Sequence, residues 1–214
     1  MAKPLNRKLY LAGKEVSNNA QMIELYRERS ARFGMSGKSM FYQNESQHQI
    51  KVVQFAALLY GLVHPDDTLL DIGCGYGSLV PLLPSCHYTG IDIVPEFISS
   101  ARERYDLVEF KVLALEESQG VYDWCVLLGV VNSVVDPNKL LELAWRKCRR
   151  GVLVDFIDDK KMANKNELNR FDMGECLTGL LHLGARTVEV HPTDTVWTIF
   201  VARKVGKWLE ARSG

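Results

Sequence analysis

The segment LLDIGCGYGSL, residues 69–79, constrains this chain more than any other. A short apolar run enters Asp71, and glycines then recur at Gly73, Gly75 and Gly77. Without a Cβ, such positions let the backbone turn sharply and approach a ligand closely. A strand feeding a tight glycine turn and then a helix is the opening unit of a parallel sheet with a ligand at its C-terminal edge.

The rest of the chain agrees with that opening. Strand patterns fall at residues 68–72, 88–93, 108–113, 122–128 and 152–157. Helical patterns lie between and after them at 77–83, 96–105, 137–149 and 173–183. Two β-branched runs, 186–190 and 195–203, are separated only by His191, Pro192, Thr193 and Asp194, a connection that suits a hairpin. The expected fold is therefore α/β: a doubly wound, Rossmann-like, mostly parallel seven-stranded sheet with the last strand antiparallel.

More than a quarter of the chain precedes the first of these strands. Residues 1–17 read as a loose arm. Residues 18–33 read as a helix capped by Asn18 or Asn19, and Gly34 and Gly37 end it. A second helix over residues 46–62 is expected to bury Ile50, Val53, Phe55, Ala57 and Leu58. This divides the chain into an N-terminal helical extension, residues 1–64, and a Rossmann-like domain, residues 65–214. Two helices of that size need a surface to cover, and the open C-terminal edge of the sheet offers one, so the extension is expected to act as a lid.

Composition narrows the function. Acidic and basic residues balance at 26 each, without the basic excess that phosphate neutralisation calls for, so no nucleic-acid partner is expected. No run of roughly twenty apolar residues suggests a membrane span, and no secretory signal is visible. The five cysteines form no C-x-x-C pair and read as reduced thiols of a cytoplasmic protein. Asp158 and Asp159 lack a second carboxylate pair, so no metal site is expected. Nothing in the sequence specifies an oligomeric state.

The ligand class follows from the charges around the glycines. A dinucleotide turn needs G-x-G-x-x-G, but Ser78 stands where the third glycine belongs. Asp71, two residues before Gly73, would repel a pyrophosphate and suits a cation. Asp92 ends the next strand about twenty residues beyond the glycines, the spacing that sets a carboxylate beside a ribose. S-adenosylmethionine, with its sulfonium, its ammonium and no phosphate, meets these demands.

On LLDIGCGYG and YTGIDIVPEFISSARERY the sequence resembles the class I S-adenosylmethionine-dependent methyltransferases, over about residues 68–203. The resemblance implies that Gly73, Cys74, Gly75 and Gly77 wrap the methionine part and that Asp71 orients its ammonium. It implies that Asp92 accepts both ribose hydroxyls and that Ile93 packs on adenine. Ala114 and Leu115 occupy the place of an acidic residue often found after the third strand, so backbone groups or Glu116 would meet the adenine. Gly129 would line the cleft under the sulfonium.

Methyl transfer needs alignment and exclusion of water more than a large catalytic set. A base is required only when the acceptor loses a proton. Asn132, after the fourth strand, is a candidate for holding acceptor or cofactor. Tyr42 and His48 are catalytic candidates at the lid's edge, with Gln47 beside them toward the cofactor. The leading expectation is methyl transfer to O or N of a small molecule. One alternative keeps fold and cofactor but transfers or cyclises the aminocarboxypropyl chain, releasing methylthioadenosine. Another is a non-catalytic cofactor-binding partner subunit.

Overall fold

The computed structural model describes residues 8–161 and 168–204. Strand β1, Leu9–Leu11, and strand β2, Lys14–Val16, pair antiparallel, followed by helices α1, Asn19–Phe33, and α2, Glu45–Tyr60. Then come β3 (Thr68–Ile72), β4 (His87–Asp92), α3 (Pro95–Arg104), β5 (Glu109–Val112), β6 (Tyr122–Leu127), α4 (Pro137–Lys147), β7 (Cys148–Ile157), α5 (Met173–His182), β8 (Thr187–Pro192) and β9 (Trp197–Arg203).

The main sheet has seven strands in the order β5-β4-β3-β6-β7-β9-β8. β9 runs antiparallel to both its neighbours, and every other adjacent pair is parallel. This is the doubly wound sheet that the sequence pattern leads one to expect.

Side chains alternate across the strands, so each strand serves two cores. Cys125 and Leu127 of β6, with Val152, Val154 and Phe156 of β7, face Leu141 and Trp145 of α4 and Leu180 of α5. Trp124, Val126 and Leu153 face the other way, onto Phe55 and Leu59 of α2. Asp71 and Asp155 belong to this second face by the same alternation.

Three expectations need correction. Residues 9–16 are a hairpin rather than a loose arm. Ala12 and Gly13 both turn with positive φ (51° and 75°), and Leu9, Leu11 and Val16 are buried against Met22 and Leu25. Alternating apolar residues around a two-residue turn carry the signal, but an alanine in left-handed geometry disguises it.

The segment at residues 77–83 forms only a short 3-10 turn, Val80–Leu82, because Pro81 and Pro84 each withdraw a backbone donor. The buried side of α2 is also rotated from expectation. Ile50, Val53 and Ala57 face solvent, while His48, Lys51, Val52, Phe55, Ala56 and Leu59 face inward.

Candidate active site

The C-terminal ends of β3, β4 and β6 open into a cavity of about 350 Å³. Its floor is the glycine turn. Gly73 and Cys74 both donate their N–H to the carbonyl of Ile91, at 2.8 and 3.0 Å, which ties the turn to β4. Gly73 and Gly75 have φ of +69° and +56°. A Cβ on Gly73 would lie 2.5 Å from Val130 Cγ2, and one on Gly75 would lie 2.9 Å from Met40 Sδ. These two glycines and Cys74 line the cavity. Burial pushes the Cys74 thiol well up, so it stays protonated.

Gly77 does something else. It does not line the cavity, and a Cβ there would meet Phe110 and Tyr105 at 3.0 Å. Its small size lets the turn pack on α3 and β5, which corrects the ligand-wrapping role expected of it.

Two carboxylates stand on the floor. Asp71 is 2% exposed, and its Oδ2 accepts the Tyr88 hydroxyl at 2.8 Å. Its Oδ1 has no hydrogen-bond partner among the described residues. Burial pushes the Asp71 carboxyl up to about 7, against the Tyr88 hydrogen bond, with Asp92 adding a smaller rise. Asp92 accepts from Gly75 N at 3.0 Å and Val94 N at 2.8 Å. Burial raises its carboxyl to about 6 against those hydrogen bonds. Ile93 N–H is a third backbone donor to this carboxylate, whose roughly four acceptor sites still leave room for a hydroxyl donor.

Beyond Asp92, the cavity is lined by Ile93, Ala114 and Leu115. Glu116 also lines it but pairs with Lys139 of α4 at 3.0 Å.

The roof comes from the N-terminal region. Tyr26 of α1 donates to Ser133 Oγ at 3.3 Å, and its ring meets Phe41 and Phe97 edge-on. Arg27 bridges to Glu96 of α3 at 2.5 Å. Tyr42 and His48 both line the cavity, their ring centroids 4.8 Å apart.

His48 is 2% exposed, with Nδ1 3.2 Å from Glu45 Oε1 and 3.2 Å from the Tyr76 hydroxyl. Burial lowers the imidazole pKa, Glu45 opposes that, and the Lys51 charge adds to it. Burial works to raise the Glu45 carboxyl, yet the Gly37 N–H and His48 hold it below the usual range. An ionised carboxylate only accepts, so the Glu45 contact favours the tautomer with the proton on Nδ1 and the lone pair on Nε2, in which the Tyr76 hydroxyl does not donate to Nδ1.

Two expected residues lie elsewhere. Asn132 is buried and turned into the sheet. Its Nδ2 donates to Asp155 Oδ2 at 3.0 Å and its Oδ1 accepts Ile157 N at 2.8 Å, so both ends are spent on β7. Gln47 accepts Gln43 N at 3.2 Å and stands outside the cavity, because helix capping by Asn44 directs it along α2.

The sequence reading also missed a buried pair. Lys51 Nζ lies 2.8 Å from Asp155 Oδ2, with both side chains at most 4% exposed. Its signal was present: a lysine inside an apolar helix side and an aspartate inside the run VLVDFI.

A family model for a methyltransferase domain matches residues 63–199, the whole stretch that builds this floor. The chain belongs to the class I S-adenosylmethionine-dependent methyltransferases. S-adenosylmethionine is its cofactor, and the residues fit that group. A buried carboxylate oxygen without a partner at Asp71 suits its ammonium, and the Gly73–Gly75 cradle leaves no room for a Cβ.

Two curated relatives are named malonyl-[acyl-carrier protein] O-methyltransferases. The one from Acetivibrio thermocellus is 44% identical over 47% of this chain and 48% of its own length. The one from Anoxybacillus flavithermus is 32% identical over 46% of this chain and 41% of its own. An uncharacterized RNA methyltransferase of Halalkalibacterium halodurans is 27% identical over 79% of this chain and 37% of its own. The chain thus spans less than half the length of these relatives.

Among solved structures, the magnesium protoporphyrin IX methyltransferase of Synechocystis PCC 6803 with bound SAH superposes with a TM-score of 0.66. The match is at 17% identity over 87% of this chain and 95% of that one. Among the described residues no helix is long and apolar enough to cross a membrane, and no three His, Cys, Asp or Glu side chains converge to hold a metal ion.

Proposed function

We propose that this methyltransferase acts on a small acceptor, transferring the methyl group to an oxygen or nitrogen that loses a proton. The observation that carries the reading is His48. It is a buried imidazole on the cavity wall, with Nδ1 held by Glu45 and its lone pair on Nε2. A small acceptor agrees with a cavity of about 350 Å³ that must also take the cofactor. The balanced charge of 26 acidic and 26 basic residues favours it over an RNA. The two relatives named as O-methyltransferases support oxygen as the acceptor atom. Residues 1–64 serve in this reading as the lid over the Rossmann-like domain, and Asp71, Asp92 and the Gly73–Gly75 turn as the cofactor site.

When bound, the cofactor supplies an electrophilic methyl carbon. The chain's own work is to hold the acceptor, exclude water and receive a proton. His48 Nε2 accepts the acceptor's proton as its lone pair attacks, and the Glu45 carboxylate at Nδ1 balances the imidazolium that results. Tyr26 and Tyr42 close the roof against water.

The test is incubation with S-adenosylmethionine and a panel of small phenols, alcohols and amines, with carboxylates, already ionised near neutral pH, as control acceptors that need no base. Adenosylhomocysteine should appear with a methylated acceptor, and His48→Gln should slow it by about 10²-fold or more. Methylthioadenosine as the product nucleoside would overturn the reading in favour of aminocarboxypropyl chemistry. Cofactor binding without either product would favour a binding subunit.

A further inference from the structure

The Lys51–Asp155 pair lies just behind the wall that His48 and Tyr42 form. Asp155 is fully buried, and its two oxygens take three donors: Gly129 N at 2.5 Å, Lys51 Nζ at 2.8 Å and Asn132 Nδ2 at 3.0 Å. Lys51 stands one helical turn after His48 on the inward side of α2. Its ammonium lies 5.1 Å from the centroid of the Tyr42 ring and 4.4 Å from that of Trp197. The Tyr42 hydroxyl and the ammonium close on one point: a Cβ on Gly129 would lie 2.9 Å from the first and 3.9 Å from the second. Tyr42 is thus held among His48, Lys51 and Gly129.

Packing alone does not account for a charged pair here. Desolvating two ions is costly, and apolar side chains of similar volume join two elements as well or better. What the pair adds is a fixed charge and a fixed backbone N–H. We propose that Lys51, anchored by Asp155, is a positioning residue for the acceptor end of the cavity, setting Tyr42 against Gly129 and beside the His48 imidazole.

The electrostatics point the same way. The charged and titratable groups facing His48 are Glu45 and Lys51 from its own helix, Tyr42 from the preceding turn, and Tyr76 from the glycine turn, with Arg104 over the far ring of Tyr76. Glu45 favours the protonated imidazole, and Lys51 is the cation that opposes it. The role of His48 as base rests on the function proposed above, but the effect of Lys51 on His48 does not, and it can be read without an acceptor.

The experiment is an NMR titration of the His48 ring in the wild-type chain, Lys51→Met and Lys51→Arg, with adenosylhomocysteine affinity measured in parallel. Lys51→Met should raise the His48 pKa by about half a unit or more, and Lys51→Arg should restore it. Adenosylhomocysteine affinity should change less than about threefold, since the cofactor carboxylates are untouched. On any acceptor found, the acid limb of kcat/KM should move with the NMR value. If Lys51→Met does not fold, Lys51→Gln, whose amide can still donate to Asp155, removes the same positive charge and should shift His48 in the same direction. An unchanged His48 titration in the folded variants would overturn the proposal. So would a loss of cofactor affinity as large as the loss of turnover. Failure to methylate any acceptor, with the His48 shift intact, would count against the function and not against Lys51.

Discussion

The Tyr88 hydroxyl donates to Oδ2 of Asp71 at 2.8 Å and leaves Oδ1 of the same carboxylate buried without a partner among the described residues. The relationship places Asp71 between stability and binding. Its carboxyl is pushed up to about 7 from an ordinary 3.8. The ligand-free native state therefore holds this proton more tightly than the unfolded chain does. Asp71 favours the fold below pH about 4, and that contribution is lost as pH rises toward 7. A bound ammonium reverses the balance by pairing with the ionised form. Asp71→Asn should raise the melting temperature of the ligand-free protein at pH 8. It should also weaken adenosylhomocysteine binding at least about tenfold in calorimetry. In the wild-type chain the affinity should rise between pH 5.5 and 8, with proton release. An affinity indifferent to both the substitution and the pH would place the ammonium elsewhere.

Asp92 has two duties, because it anchors Gly75 and Val94 as well as facing the cavity. In the proposed cofactor site, Asp92→Ala would remove a charged acceptor of ribose hydroxyls, each bond contributing about 1.5–3 kcal/mol. Titration calorimetry should show at least about a tenfold loss of affinity. Unchanged affinity would reject this placement of the ribose.

Two glycines of one motif should respond differently. Gly77→Ala forces a Cβ against Phe110 and Tyr105 at φ of +79° and should cost about 1–2 kcal/mol of stability. Affinity measured well below its melting point should be nearly intact. Gly75→Ala presses on Met40 at the cavity wall and should weaken adenosylhomocysteine binding directly. Thermal melts and calorimetry on both variants check the contrast, and equal effects on binding would refute it.

How much of this was legible beforehand depended on whether the causes are local. The turn LLDIGCGYG and the strand–helix alternation carry their own signals, so the sheet and the cofactor floor could be read from neighbouring residues. The buried side of α2 could not. Lys51 faces inward only because Asp155, distant in sequence, neutralises it, and Ile50 and Val53 then face outward. Asn132 sits at the right edge of the sheet, but Asp155 and Ile157 draw its side chain away from the cavity. The hairpin at residues 9–16 has a weak local signal because Ala12 occupies a conformation that an alanine rarely adopts.

The lowered pKa of His48 has a kinetic consequence. As the base proposed above, His48 would keep its lone pair into mildly acidic solution, since burial lowers its pKa from the ordinary 6.5. The acid limb of kcat/KM should therefore fall below pH 6.5, with activity rising through it to a plateau. Glu45→Gln removes the group that favours the imidazolium and should push that limb lower still while reducing the plateau rate. A limb at or above 6.5, or one that Glu45→Gln moves upward, would show that another group titrates.

Helix α1 is expected to move. Its hold on the Rossmann-like domain runs through the Arg27–Glu96 bridge, the Tyr26–Ser133 hydrogen bond, the ring contacts of Tyr26 and the apolar cluster that holds Met22 and Leu25, with Ile93, Val134 and Leu168 packed against it. Hydrogen exchange over residues 19–33 should slow when adenosylhomocysteine binds. Equal protection with and without it would mean that the helix is fixed packing and no lid.

The place of β9 has a consequence for how the molecule is made. β9 is almost entirely buried and lies between β7 and β8, both of which precede it in the chain. During synthesis the long edge of β7, Cys148–Ile157, therefore waits without its partner until Trp197–Arg203 leave the ribosome. An unpaired apolar edge of this kind is a template for wrong pairing between nascent chains. Chains arrested just before Trp197 should accordingly aggregate or stay bound to chaperones, and those arrested well beyond Arg203 should be released folded.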